Sequence, residues 1–184
     1  MRITGGKFGG RNLKVPKSEA IRPTQDRVRE ALFSMLQAEV PGSRFLDLFA
    51  GSGAVGLEAL SRGAASVTLV ESSRRHLATL KENVSALGCE AAVVLADVYR
   101  YLAGYAGAGF TIGFADPPYA LGEERGYAAV LRTLAERGVI VPGGLFVAEM
   151  TAGQRAEETP GWELLRDRTY GKTRLCVWRR AARP

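Results

Sequence analysis

At 184 residues the chain suits one domain with a small appendage, and its 46% apolar share is enough to fill a core. No run of about 18 apolar residues occurs, and Met1-Arg2-Ile3-Thr4-Gly5-Gly6-Lys7 lacks the apolar stretch of a signal peptide, so a cytoplasmic protein without a membrane span is expected. The net charge of +6 is uneven: residues 1–17 hold five cations and no acid, residues 171–184 hold five more and no acid, and the rest carries a net −4.

Two basic ends on a mildly acidic body fit a localised polyanion contact; solvated Arg-rich termini are the plainer account of the same charges. Cys89 and Cys176 are far apart and His76 is the only histidine. That inventory offers neither a zinc site nor a cysteine–histidine nucleophile, so no metal is expected.

Residues 1–20 read as a small glycine-rich β-arm, with Ile3-Thr4 and Leu13-Lys14-Val15 as short strands, set on a main domain of residues 21–184. The arm is too small to fold alone. Pro23 keeps Arg22 extended, and Thr24 can cap a helix whose apolar stripe is Val28, Ala31, Leu32, Met35 and Leu36. Phe45 to Phe49 reads as a buried strand, and Ala54 to Leu60 as a helix start. Between them lies Gly51-x-Gly53-x-x-Gly56, a turn against which a ligand can lie. The strands that follow are Ser66 to Glu71, Ala91 to Leu95, Phe110 to Ala115 and Leu145 to Met150. Helices are expected over Ser73–Leu87, with the apolar stripe Leu77, Leu80, Val84 and Leu87 and Gly88 as its stop, over Val98–Tyr105 and over Tyr127–Arg137, and two last strands over Trp162–Arg168 and Thr173–Arg180. This alternation predicts a doubly wound, Rossmann-like α/β sheet of about seven strands.

In such a sheet ligands lie beyond the carboxyl ends of the strands. Asp47, Glu71, Asp97 and Asp116 each stand at or just after a strand end. Asp47, four residues before Gly51, faces a pyrophosphate badly and suits a ligand with an ammonium group and a cationic centre; S-adenosylmethionine is such a ligand. Glu71 follows Gly51 by 20 residues, the spacing of an acid that holds ribose hydroxyls. Asp97 either accepts from an adenine amino group or caps the helix at Val98.

Asp116-Pro117-Pro118-Tyr119 is the sharpest signal. A residue before proline is held extended, and proline has no N–H, so the Asp116 carboxylate and the Pro117 carbonyl can project as fixed acceptors. Two acceptors about 3 Å from an exocyclic amine can aim its lone pair at an electrophile. Tyr119 can stack on the base that carries the amine.

Asp47-Leu48-Phe49-Ala50-Gly51-Ser52-Gly53 together with Asp116-Pro117-Pro118-Tyr119 resembles an S-adenosylmethionine-dependent amino methyltransferase. Arg22-Pro23-Thr24-Gln25-Asp26-Arg27-Val28-Arg29-Glu30 and the opening Arg2-Ile3-Thr4-Gly5-Gly6-Lys7 narrow the likeness, over nearly the whole chain, to the bacterial RsmD family. The resemblance implies a class I methyltransferase sheet and methyl transfer to guanine N2 of 16S rRNA on assembled or late-assembling small subunits, leaving S-adenosylhomocysteine. It implies Asp116, Pro117, Pro118 and Tyr119 as the catalytic element. Thr24, Arg27, Asp47, Phe49, Gly51, Ser52, Gly53, Glu71, Ser72, Asp97 and Val98 become the cofactor set, with Thr24 and Arg27 near its methionine end. Arg2, Lys7, Arg11 and Lys14 are the expected RNA contacts, and a monomer is the default. Three alternatives stay open: an adenine-N6 methyltransferase, a nicotinamide-dependent oxidoreductase on the same sheet, and a non-catalytic RNA-binding assembly factor.

Overall fold

The computed structural model describes residues 1–16, 26–117 and 127–182. Thr24, Pro118 and Tyr119 of the expected site therefore lie outside the described residues. The chain divides into two compact units, Met1–Val98 and Tyr99–Pro184. Among the described residues no helix is long and apolar enough to cross a membrane.

The first unit holds three parallel strands, β1 (Arg44–Leu48), β2 (Ser66–Glu71) and β3 (Ala92–Leu95), in the order β3-β2-β1. Leu48 stands opposite Val70, and Glu71 opposite Leu95, so the three strands finish together. Phe45, Leu46, Asp47 and Leu48 are all buried, as a parallel strand covered on both faces requires. Helix α1 spans Asp26–Met35, α2 Ala54–Ser61 and α3 Arg74–Leu87. Every residue of α2 is buried. At Gly56 a Cβ would meet Leu69 Cδ2 at 2.2 Å and Val67 Cγ1 at 3.0 Å, so glycine there lets α2 close onto β2. Ser73 caps α3 by accepting from the His76 amide, and left-handed Gly88 ends it.

The buried faces differ from the apolar stripes expected of the sequence. On α1 the buried set is Val28, Arg29, Leu32 and Phe33, whereas Ala31 and Met35 are half-exposed. On α3 it is Leu80, Asn83 and Leu87, with Leu77 and Val84 half-exposed. Both intruders are polar, and both hold the amino-terminal arm. The Arg29 guanidinium donates to Glu58 at 2.6 Å and to the Arg2 carbonyl. Asn83 donates to the carbonyls of Lys14 and Ser52 at 2.9 and 2.8 Å and accepts from the Lys14 amide at 2.8 Å.

The arm itself is a looser hairpin than two strands would give: one antiparallel bridge joins Arg2 to Asn12, and Ile3 and Leu13 are buried. The Lys7 amide donates to the Ser61 carbonyl at 2.8 Å, and a Cβ at Gly6 would lie 1.9 Å from that same oxygen. The chain can pass there only without a side chain.

The second unit contains β4 (Phe110–Ala115), β5 (Ile140–Thr151), β6 (Trp162–Tyr170) and β7 (Thr173–Arg180), in the order β4-β5-β7-β6. β4 and β5 run parallel, and β7 is antiparallel to both β5 and β6. β5 begins at Ile140 rather than at Leu145, because its pairing with β4 carries an irregularity that absorbs Pro142-Gly143-Gly144. Helix α4 (Val98–Ala103) starts at the unit boundary, and α5 spans Tyr127–Glu136. An aromatic core of Tyr127, Phe146, Trp162 and Trp178, with ring centroids 6.3–6.4 Å apart, seats α5 on the sheet. The Trp162 indole N–H is satisfied by the Leu131 carbonyl at 2.9 Å.

Candidate active site

In the first unit the turn after β1 is built from positive-φ residues: Phe49 at 62°, Gly51 at 57° and Gly53 at 81°. The two glycines serve different ends. At Gly53 a Cβ would strike Leu80 Cδ1 at 2.4 Å, so this glycine lets α3 pack against the turn. At Gly51 a Cβ would find nothing nearer than Phe49 O at 3.9 Å, so the backbone there faces open space. Ser52 is buried, its carbonyl taken by Asn83.

Glu71 ties this turn to the end of β2. One carboxylate oxygen accepts from the Gly51 amide at 2.9 Å, the other from the Ser73 amide at 2.7 Å, and His76 Nδ1 lies 3.6 Å away. The acid that the sequence marks by its spacing is thus in register with the open glycine. Ser72 is exposed beside it, Asp97 is exposed after β3, and Val98 is buried at the start of α4. Arg27 is exposed in the first turn of α1.

Asp47 stands differently from the sequence expectation. Its side chain does not stand free for a ligand cation: the residue is 2% exposed, and the carboxylate accepts from the Gly56 amide at 2.8 Å, pinning the start of α2. Burial pushes the carboxyl up from 3.8 to about 7, against the Gly56 hydrogen bond and with the help of the Glu71 charge. Between about 3.8 and about 7 the folded chain therefore keeps a proton that the unfolded chain has lost. The stability from this group is present at low pH and falls as pH rises through that window. Asp47→Asn keeps an acceptor for Gly56 and removes the titration. In urea denaturation, its stability relative to wild type should climb from pH 4 to pH 7 and then level; a difference that does not vary with pH would refute this account.

In the second unit Asp116 and Pro117, which follow β4, line a pocket together with Tyr127, Glu149, Met150, Thr151 and Gln154. Its empty space is about 270 Å³ including the open mouth. The Tyr127 hydroxyl donates to the Glu149 carbonyl at 2.9 Å. Burial, and after it the charges of Asp116 and Glu149, hold the Tyr127 phenol well above its usual value, so it stays a neutral donor. Sequence reasoning missed Tyr127, Glu149, Thr151 and Gln154. The one available signal was the alternation on β5, where buried Met150 separates Glu149 from Thr151.

The arm cations Arg2, Lys7, Arg11 and Lys14 are all exposed. Arg11 donates to the Ala86 carbonyl at 2.6 Å, Lys14 pairs with Glu82 at 2.9 Å, Arg2 lies 4.0 Å from Asp26, and Lys7 Nζ sits 4.7 Å from the Phe8 ring centroid.

A family model described as "Conserved hypothetical protein 95" matches residues 1–179. Ribosomal RNA small subunit methyltransferase D of Escherichia coli K12 is 38% identical over 186 residues, covering 99% of this chain and 91% of its own length. The chain belongs to the RsmD family. The solved structure of an Escherichia coli putative methyltransferase, yhhF, is 36% identical, with a TM-score of 0.87 over 100% of this chain and 99% of that one. At 18% identity and a TM-score of 0.71, a putative SAM-dependent methyltransferase from Streptococcus mutans shares the fold over 87% of this chain and half of its own. RsmD membership and these neighbours bear out the α/β class I methyltransferase fold expected from the sequence.

Proposed function

We propose that this enzyme transfers a methyl group from S-adenosylmethionine to the exocyclic N2 of a guanine in small-subunit rRNA. RsmD membership supports a small-subunit rRNA methyltransferase, and the guanine and its N2 are the finer reading. The observation that carries the acceptor chemistry is the placing of Asp116 and Pro117 on the wall of a pocket at the end of β4. There a carboxylate and a proline carbonyl can accept the two hydrogens of an amine.

The first unit fits the methyl donor. The open backbone at Gly51, with Glu71 bonded to the Gly51 amide, leaves room for a ligand where a side chain would intrude. Arg27, Phe49, Ser52, Gly53, Ser72, Asp97 and Val98, with Thr24, remain the proposed remainder of that set. Asp47 acts on it through Gly56. The cofactor supplies an electrophilic methyl group on a sulfonium. Asp116 and Pro117 would hold the amine with its N2 lone pair aimed at that methyl group, and Asp116 or water would take the amine proton. Catalysis is mainly positioning of the amine. Tyr119 stacks on the base in this reading.

Tritiated methyl transfer to small subunits lacking the modification, followed by nucleoside analysis, tests the proposal. N2-methylguanosine is expected. N6-methyladenosine would overturn the guanine reading, and tight RNA binding without label would favour an assembly factor.

The arm's cations are proposed to meet rRNA phosphates, with the enzyme acting as a cytoplasmic monomer. Arg2, Arg11 and Lys14 already lean on acceptors within the chain in exposed contacts of small energy. Lys7→Ala should lower the slope of log affinity for small subunits against log salt by about 0.7–0.9 and leave the melting temperature unchanged. An unmoved slope would shift the contact to the carboxyl-terminal cations, among them the exposed Lys172 and Arg179.

A further inference from the structure

The pocket of the second unit holds more acceptors than an amine requires. Asp116 and Pro117 account for two hydrogens, yet Glu149 lines the same space. It stands on β5, the strand that pairs with β4 through Ala115 opposite Ala148. Its backbone is fixed by the Tyr127 hydroxyl at 2.9 Å. Tyr127 feels the charges of both Asp116 and Glu149, so the three groups share one small volume.

The turn after β5 is equally fixed. The Thr151 amide donates to Gln154 Oε1 at 2.9 Å, the Gln154 amide returns to the Thr151 carbonyl at 3.0 Å, and the Ala152 amide donates to the Lys172 carbonyl at 2.9 Å. Arg174, forked onto Asp167 at 2.7 and 2.5 Å, also donates to the Gln154 carbonyl. With its side-chain oxygen so occupied, the NH2 group is what Gln154 has to offer a ligand.

We infer that Glu149 is a specificity-determining residue that accepts the N1–H of the target guanine while Asp116 and Pro117 hold its N2, with Gln154 donating to O6. The inference rests on the guanine-N2 reading above. Along its Watson–Crick edge guanine presents the O6 acceptor, the N1–H donor at the centre and the N2 donor, in that order. Glu149, Asp116 and Pro117 supply acceptors only, and Gln154 a donor. Adenine places an unprotonated N1 at the centre of that edge. Against Glu149 it would set acceptor against acceptor, and a site built to receive an N–H rejects analogues that lack it. The Asp-Pro-Pro-Tyr element does not by itself separate guanine from adenine; the residue at 149 does.

The test uses small subunits reconstituted around 16S rRNA with either guanine or 2-aminopurine at the methylated position. 2-Aminopurine keeps the amine but has a bare N1 and no O6, so the Gln154 contact is lost equally in wild type and in every residue-149 variant, and only the change of the ratio on substitution reads Glu149. Wild-type enzyme should favour guanine by about 100-fold or more in kcat/KM. Glu149→Gln offers an NH2 to the bare N1, so the preference should collapse at least tenfold. Glu149→Asp, still an acceptor, should retain most of it. A structural role would slow both substrates alike and leave the ratio in place, and that outcome would overturn the assignment. So would a wild-type enzyme indifferent to the two bases, whether or not the variants fold. A wild-type enzyme that forms no N2-methylguanosine at all defeats the guanine reading instead, so the two failures are distinct.

Discussion

Asp116→Ala should lower methyl transfer by about 10²–10⁴-fold and leave the affinity for S-adenosylhomocysteine unchanged. The separation follows from where the residues stand. Glu71, Gly51 and the turn they close belong to the first unit, whereas Asp116 follows β4 in the second. The carboxylate is a pocket wall rather than a core group, being half-buried, so its removal should cost the fold little. The loss should fall on kcat, because the substrate's phosphates and the rest of its surface still bind while the amine is no longer aimed. Asp116→Asn keeps one acceptor oxygen and should lose less than Ala. Single-turnover transfer with the small subunit in excess, beside calorimetric titration of S-adenosylhomocysteine, reads both halves. Near-normal turnover in the Ala variant would remove Asp116 from the mechanism; a matching loss of cofactor affinity would mean that the substitution disturbs the fold.

The glycine turn and the strand ends were legible because each rests on local chemistry. Gly51 and Gly53 have φ values that side chains resist, and β4 ends where Asp116-Pro117 removes an N–H from the ladder. Periodicity likewise found β1, β2 and β7, whose buried residues follow from sheet geometry. It misread α1 and α3 because it counts apolar faces. Arg29 and Asn83 are buried for partners that lie far off in sequence, Glu58 for the one and Lys14 and Ser52 for the other. The same blindness hid how the arm is held, since nothing local announces that Lys14 meets Glu82 or that Gly6 must clear Ser61. In the site, the Asp-Pro-Pro element was visible because proline constrains the backbone. Glu149 and Gln154 were not, because an alternating strand pattern says which residues share a face and not which of them borders a cavity.

The largest stability effect should come from Glu58, a residue that no functional motif marks. Its carboxylate is fully buried on α2, within a helix that is otherwise apolar apart from its final serine. Three elements meet on it. Arg29 of α1, also fully buried, donates at 2.6 Å, Arg62 donates at 3.0 and 2.8 Å, and Thr4 of the arm donates through both its amide, at 3.2 Å, and its hydroxyl. A buried pair is a poor source of net stability, because desolvation consumes most of its Coulomb energy. Breaking one is costly because the partner's charge is left behind, by about 3–5 kcal/mol. Glu58→Ala takes from the Arg29 guanidinium its buried carboxylate, leaving it the half-exposed Asp26 at 2.9 Å and the Arg2 carbonyl, and frees the Thr4 amide. At about 2–4 °C per kcal/mol for a chain of this size, the melting temperature should fall by roughly 6–20 °C. Replacing the cluster together, as Glu58→Leu with Arg29→Met and Arg62→Leu, should recover much of that loss, since no member of the cluster then keeps a buried charge, and Asp26, which loses Arg29, is half-exposed to water. Calorimetric melting of the single and triple variants decides it. A triple variant no more stable than Glu58→Ala would show that Glu58 matters through the shape it holds and not through the charge it neutralises.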